Sequence, residues 1–305
     1  MGAKDNPKPL IAHDMPRLPP LIQLMRPHQW LKNGFVFAGL IFGRQWQQSE
    51  MLLAVSLAFA AFCCASSAVY LLNDWLDRAS DAAHPRKQAR PLASGAVSSG
   101  AALALGIVLV LACVVLAWVA TADMVLLLIL CLYAALNIAY SLKLKSVAVL
   151  DVFIIASGFM LRLLAGTLAV GIAPSRWMLL TGVFVALFLG FAKRKAESFH
   201  APERQRSVMA HYPTALLDTY LAAMLTATLM TYSLFATSAE ALRQHGERLV
   251  YTVPVLIFAM LRYTWQVHRG KGEDVARDLL SDRWILFAAL LWLLLFLWRG
   301  SGTAA

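Results

Sequence analysis

The sequence predicts an all-α, polytopic membrane protein with nine transmembrane helices, and three observations carry that prediction. Of the 305 residues, 60% are hydrophobic and only 14% are charged, where a soluble domain carries about 25% charged residues. Apolar runs of near-membrane length recur along most of the chain, and only helices or closed barrels satisfy their backbone in lipid. Lysine and arginine collect in alternate connections. The net charge of +10 would suggest nucleic acid for a soluble chain. Here the positive charge follows the loops of a membrane protein, and no nucleic-acid partner is expected.

Residues 1–20 are polar and proline-rich and read as a loose cytoplasmic tail, ahead of a single transmembrane domain over 21–300. No signal peptide is expected, because the first long apolar run begins only after Lys32. Leu21 to Trp30 mixes Leu, Ile, Met and Trp with Arg26 and His28, which suits a short helix in the membrane interface. Nine spans follow, at about 31–47, 51–73, 98–120, 123–141, 147–171, 175–192, 213–239, 248–267 and 283–299. Gly34, Gly39 and Gly43 make the first of them weak. Cys63, Cys64, Cys113 and Cys131 lie inside apolar segments without metal-ligand spacing and read as buried small hydrophobes.

Orientation follows from the loop cations. With the N-terminus inside, 21 of the 27 Lys and Arg residues fall in inner segments and five in outer ones, with Arg162 inside a span. The chain is therefore expected as a multi-pass protein of the inner (cytoplasmic) membrane, with its N-terminus and its chemistry on the cytoplasmic face.

The chemistry concentrates at the end of the second span. Asn73-Asp74-Trp75-Leu76-Asp77-Arg78-Ala79-Ser80-Asp81 is followed by His84-Pro85-Arg86-Lys87-Gln88-Ala89-Arg90-Pro91. On a continuous helix Asp74, Asp77 and Asp81 fall within about 60° of one another. Three carboxylates on one face repel each other unless a cation joins them. Mg²⁺ takes oxygen ligands, keeps waters and binds carboxylates together with substrate phosphates. Asn73 adds a neutral amide oxygen, and Lys87 and Arg90 suit phosphate oxygens that a metal leaves free. The plainer reading of such a string is a solvated helix end with ordinary charge pairs. Tyr140, Lys143 and Lys145 mark a second inner connection, and Asp151 lies about a turn inside the fifth span. Arg162 shares its helix face about 16 Å deeper. Buried ionisable residues in spans usually face a partner or a polar cavity, and Arg162 suits either a structural partner or a ligand. Lys193, Arg194 and Glu197 end the sixth span, while Lys32 and Asn33 bring a cation and an amide to the inner surface from the N-terminal side.

Asn73-Asp74-x-x-Asp77-x-x-x-Asp81 in a nine-span chain resembles the first aspartate motif of the UbiA superfamily of intramembrane transferases. That resemblance implies a central cavity open to the cytoplasm and to lipid, and Mg²⁺ (or Mn²⁺) bound by Asn73, Asp74, Asp77 and Asp81. The second aspartate motif of typical members is absent: Asp151 is followed by Val152, Phe153, Ile154 and Ile155, and the later inner loop is basic. Arg26-Pro27-x-Gln29-Trp30-x-Lys32-Asn33, His84-Pro85-x-Lys87-x-x-Arg90-Pro91, Tyr140-Ser141-x-x-Leu144-Lys145 with Asp151, Gly158-Phe159-x-Leu161-Arg162 and Lys193-Arg194-x-x-Glu197 are similar to the branch that transfers phosphoribose to decaprenyl phosphate. The branch implies phosphoribosyl diphosphate as donor and a polyprenyl phosphate as acceptor, with diphosphate released. Asp74, Asp77, Asp81, Tyr140, Lys145 and Asp151 are then the candidate catalytic residues. Lys87, Arg90, Tyr140 and Lys145 hold phosphate or ribose oxygens, and Asp151 binds a ribose hydroxyl or orients Lys145. Lys32, Asn33, Lys143, Arg162, Lys193 and Arg194 complete the substrate contacts, and a homo-oligomer is compatible with the chain. An isoprenyl transferase acting on an aromatic acceptor and a lipid or anion transporter are the alternatives. The missing acid pair counts against the first, and the lack of a clear internal repeat against the second.

Overall fold

The computed structural model describes residues 18–83, 87–169, 171–199, 207–272 and 275–298. The expectations placed on the 1–17 tail and on His84, Pro85 and Arg86 lie outside the described residues. The described chain contains helices and no strand. It opens with α1 (Pro20–Met25), and a left-handed Arg26 (φ 51°) turns it into a 3-10 stretch, Pro27–Phe37, that leads into α2 (Ala38–Phe42). The long helices are α3 (Ser49–Leu76), α5 (Ser99–Thr121), α6 (Met124–Leu142), α7 (Leu150–Ala169), α8 (Arg176–Glu197) and α9 (Thr214–Ala236). The short α4 (Arg78–Ala82) follows α3, and α10 (Ala239–His245), α11 (Thr252–Val267), α12 (Val275–Ser281) and α13 (Arg283–Leu297) complete the chain.

Among the described residues six helices are long and apolar enough to cross a membrane, with α13 a shorter apolar one. All six lie where spans were expected, and so do α11 and α13. The expected first span is not a continuous α-helix. It is threaded as the 3-10 stretch plus the five residues of α2, and its glycines explain why. A Cβ on Gly39 would stand 2.8 Å from Thr167 Cα, and one on Gly166 would stand 1.7 Å from the Val36 carbonyl oxygen. The N-terminal stretch therefore lies directly on the backbone of α7, which a regular helix with full side chains cannot do.

Two apolar cores flank the middle of the bundle. One packs Val152, Phe159, Phe188, Phe191, Leu217 and Tyr263 from α7, α8, α9 and α11, and the other packs Val36, Phe62, Leu130, Tyr133 and Leu161 from the N-terminal stretch, α3, α6 and α7. The outer face of α5 exposes Leu103, Ile107, Val108, Val110, Leu111, Val115 and Val119. In water such a patch would mark a binding surface; on a span it is the lipid-facing side. Cys63 and Cys113 are buried as expected, but Cys131 is exposed on the apolar face of α6, so the reading of all four as buried holds for only part of the set. Side-chain caps by Ser98, Asp123, Ser175 and Asp282 start α5, α6, α8 and α13, satisfying amides that a helix end leaves open. Asp282 also pairs with Arg262 at 2.9 Å. Although burial raises its carboxyl, the Arg262 and backbone hydrogen bonds hold it below the usual aspartate range.

Candidate active site

The C-terminal ends of α3, α6 and α8 and the N-terminal half of α7 meet at one end of the bundle around a cavity of about 900 Å³. Its polar lining comes from Arg26, Gln29 and Lys32 of the N-terminal segment, Tyr70 and Asn73 of α3, and Tyr133, Asn137, Tyr140 and Ser141 of α6. Arg162 of α7, Lys193 and Glu197 of α8, and Lys271, Arg277, Asp278 and Ser281 at α12 complete it. Six of these residues are cationic and two are acidic.

The acidic run does not form one helix face. α3 ends at Leu76, Asp77 is the junction residue, and α4 begins at Arg78. Asp74 and Asp81 are buried to 4% and 2% exposure, while Asp77 points out to solvent. The buried pair converges on one guanidinium nitrogen: Arg90 Nη1 lies 3.1 Å from Asp74 Oδ1 and 2.6 Å from Asp81 Oδ2. Arg26 reaches the same Asp74 oxygen at 2.6 Å, and Lys87 stands 3.5 Å from Asp81. Lys87 and Arg90, expected on phosphate, thus neutralise the aspartates in this structure. Among the described residues no three His, Cys, Asp or Glu side chains form a ready metal cluster. The donors present still suit Mg²⁺. Two buried carboxylates already converge on a positive centre, Asn73 of the neighbouring position lines the cavity, and that ion fills its remaining positions with water and phosphate.

Arg162 is 6% exposed and has no carboxylate within salt-bridge distance among the described residues. Neutral groups hold it instead: its Nε donates to Asn33 Oδ1 at 2.7 Å, Nη1 to the Gly158 carbonyl at 2.6 Å and Nη2 to the Tyr133 hydroxyl at 3.0 Å. The Tyr133 ring lies 4.8 Å from the guanidinium carbon, within cation–π range. The positive charge of Arg162 stands at the cavity wall. Asn33 is fully buried and donates to Ser66 and Cys63, so it supports Arg162 and does not line the cavity as a substrate ligand.

Asp151 and Arg194 are corrected more strongly. Both are fully buried and ion-paired, with Arg194 Nε 2.7 Å from Asp151 Oδ2. Neither reaches a cavity ligand directly, because Arg194 also donates to Glu197 and, at 3.1 Å, to the Tyr140 hydroxyl. Lys143 and Lys145 are exposed in the turn after α6 and do not line the cavity; the 3-10 turn Leu144–Ser146 carries Lys145 away from it. The sequence reading also passed over Asn137, Lys271 and Arg277. Tyr133, Asn137, Tyr140 and Ser141 recur at helical spacing within an apolar helix, and that polar stripe was the available signal. Lys271 and Arg277 lie in the mixed-charge connection before α13, where no spacing sets them apart; only the fold brings them over the cavity.

The architecture is that of intramembrane transferases built around a polar cavity. It is shared with a UbiA homologue from Archaeoglobus fulgidus bound to GPP and Mg²⁺ (TM-score 0.67, 18% identity, 90% of this chain and 97% of that one). It is also shared with a structure described as digeranylgeranylglyceryl phosphate synthase (TM-score 0.66, 18% identity, 92% and 99%). The UbiA prenyltransferase family matches residues 34–291, and the chain belongs to that family. Among its relatives, the decaprenyl-phosphate phosphoribosyltransferase of Mycolicibacterium smegmatis is 33% identical over 90% of each chain. That of Corynebacterium glutamicum is 34% identical over 89% of this chain and 84% of its own.

Proposed function

We propose that the chain transfers 5-phosphoribose from phosphoribosyl diphosphate to a polyprenyl phosphate, releasing diphosphate. The relatives' shared name supports the reading, and the excess of cations around the cavity carries it. An isoprenyl donor brings one diphosphate and an apolar tail. A phosphoribosyl donor and a lipid phosphate together bring a diphosphate and two further phosphates, which calls for arginine and lysine at the walls. Arg162 at depth suits a phosphate or ribose oxygen. Lys32, Lys193, Lys271 and Arg277 suit phosphate oxygens, as charge-assisted donors. Asn73, Asp74 and Asp81 would hold Mg²⁺, with Asp77 at the junction between them, and the ion when bound neutralises charge on the departing diphosphate. Arg90, paired with both carboxylates, and Arg26, paired with Asp74, would then be available to phosphate. No strong general base is required, because a phosphate monoester with a second pKa near about 6 is largely ionised at neutral pH.

The test is a donor screen on the purified chain with Mg²⁺ and polyprenyl phosphate. Labelled phosphoribosyl diphosphate is expected to label the lipid, whereas labelled isoprenyl diphosphates are expected to leave aromatic acceptors unlabelled. Turnover of the isoprenyl donors alone would replace this reading with the prenyltransferase one.

The same proposal places the cavity mouth on the cytoplasmic face, supported by the 21-to-5 distribution of Lys and Arg. In a background without the native cysteines, Ser94→Cys is expected to label only from the cytoplasmic side and Gly302→Cys only from the opposite side. Labelling of both from one side would mean an even number of crossings between them.

A further inference from the structure

The ion pair of Asp151 and Arg194 belongs to a chain of contacts that starts outside the spans and ends at the cavity wall. Tyr212 follows the 3-10 stretch Ser207–His211. Its hydroxyl donates to Asp151 Oδ1 at 2.7 Å and accepts the Val149 N–H at 2.6 Å. Asp151 Oδ2 meets Arg194 Nε at 2.7 Å. Arg194 passes its remaining N–H groups to Glu197 and to the Tyr140 hydroxyl, and both of those residues line the cavity. Burial, and then the hydrogen bond to Asp151, push the Tyr212 phenol above its ordinary range, so it remains a donor.

Two features show that this arrangement is costly. A guanidinium and a carboxylate are both fully buried, where desolvation offsets much of their attraction. Val149 sits at φ 69°, a conformation that is a true outlier for a β-branched residue and persists only where its surroundings impose it. The hydroxyl that takes the Val149 amide is the one that holds Asp151. Asp151 is fully buried, with Oδ1 bonded to Tyr212 and Oδ2 in ion contact with Arg194 without an aligned hydrogen bond, so it does not serve as a ligand for ribose. Arg194 donates to the Tyr140 hydroxyl oxygen at 3.1 Å, which restricts the orientations open to that hydroxyl.

We propose that Asp151 and Tyr212 are positioning residues: together they hold Arg194, and Arg194 aims the Tyr140 hydroxyl at the anionic substrate in the cavity. The proposal rests on the cavity being the reaction site. It does not depend on which diphosphate is the donor.

The test is a double-mutant cycle on kcat/KM, run with whichever donor the wild-type protein turns over, so that a wrong donor assignment leaves the cycle readable. Tyr140→Phe is expected to lose about tenfold, the scale of one hydrogen bond to a charged group. Tyr212→Phe, which keeps the ring, is expected to lose about three- to tenfold alone and nothing further in the Tyr140→Phe background, as residues acting through one contact are non-additive. Thermal melts in detergent read the packing contribution separately, and the Tm decrease from Tyr212→Phe should be equal in the two backgrounds. Asp151→Asn should repeat the kinetic pattern. Multiplicative losses in kcat/KM would assign the network to packing alone and overturn the proposal, and so would a Tyr140→Phe protein as active as wild type.

Discussion

Asp74→Asn and Asp81→Asn are each expected to lower kcat by about 10²–10³-fold, the scale at which loss of one preorganised electrostatic stabiliser is felt. Both carboxylates are buried and converge on the same guanidinium nitrogen. Neutralising either one removes a hard oxygen donor and leaves Arg90 short of a counter-charge, together with Arg26 in the case of Asp74 and Lys87 in the case of Asp81. EDTA should abolish turnover of the wild type, and Mg²⁺ or Mn²⁺ should restore it. Asp77→Asn should cost less, since Asp77 is exposed at the α3–α4 junction. Each variant is checked by thermal melt, because Asp74 also anchors Arg26 of the N-terminal segment. Undiminished activity in metal-free buffer would remove the metal from the mechanism.

The second large effect separates lysines that look alike in the sequence. Lys193→Ala should remove a charge-assisted contact worth roughly 1.5–3 kcal/mol, or about 10- to 150-fold in kcat/KM. Lys193→Glu should be worse, because it sets like charge beside a polyanion. Lys145→Ala should stay within about twofold, the usual range for a surface substitution away from special features. The difference follows from position: Lys193 lines the cavity, whereas Lys145 is exposed in the turn beyond α6. A phosphoribosyl-transfer assay over a range of donor concentrations measures all three. Should Lys145→Ala prove the more damaging change, the donor phosphates lie at the α6–α7 turn and not in the cavity.

Helix positions were legible because an apolar run of membrane length has few ways to fold. The segments around Ser49–Leu76 and Ser99–Thr121 ended within a few residues of their expected bounds. The N-terminal stretch was not legible in the same way. Its glycines serve contact with the α7 backbone, and nothing local in 31–47 names Gly166 as the partner. The acidic run was legible as chemistry and not as geometry. Its spacing assumed one continuous helix, and the break at Asp77 separated an exposed acid from two buried ones. Arg194 and Lys193 adjoin in sequence but face different surroundings, one sealed against Asp151 and the other on the cavity. Which cation meets a carboxylate and which meets a substrate is decided by helix rotation, and a single sequence does not reveal it. Lys271 and Arg277 reach the cavity only because the chain returns over it after α11.

The bond between Arg162 and Asn33 joins groups 129 residues apart in the chain, and this bears on how the protein is made. An arginine at the centre of a lone helix costs about 2.5–3.5 kcal/mol to insert. The groups that receive this one, Asn33 and Tyr133, are synthesised before it. Chain order therefore makes both acceptors available to Arg162 when α7 is completed. The order of the genetic message thus puts the groups that satisfy this arginine ahead of the helix that carries it.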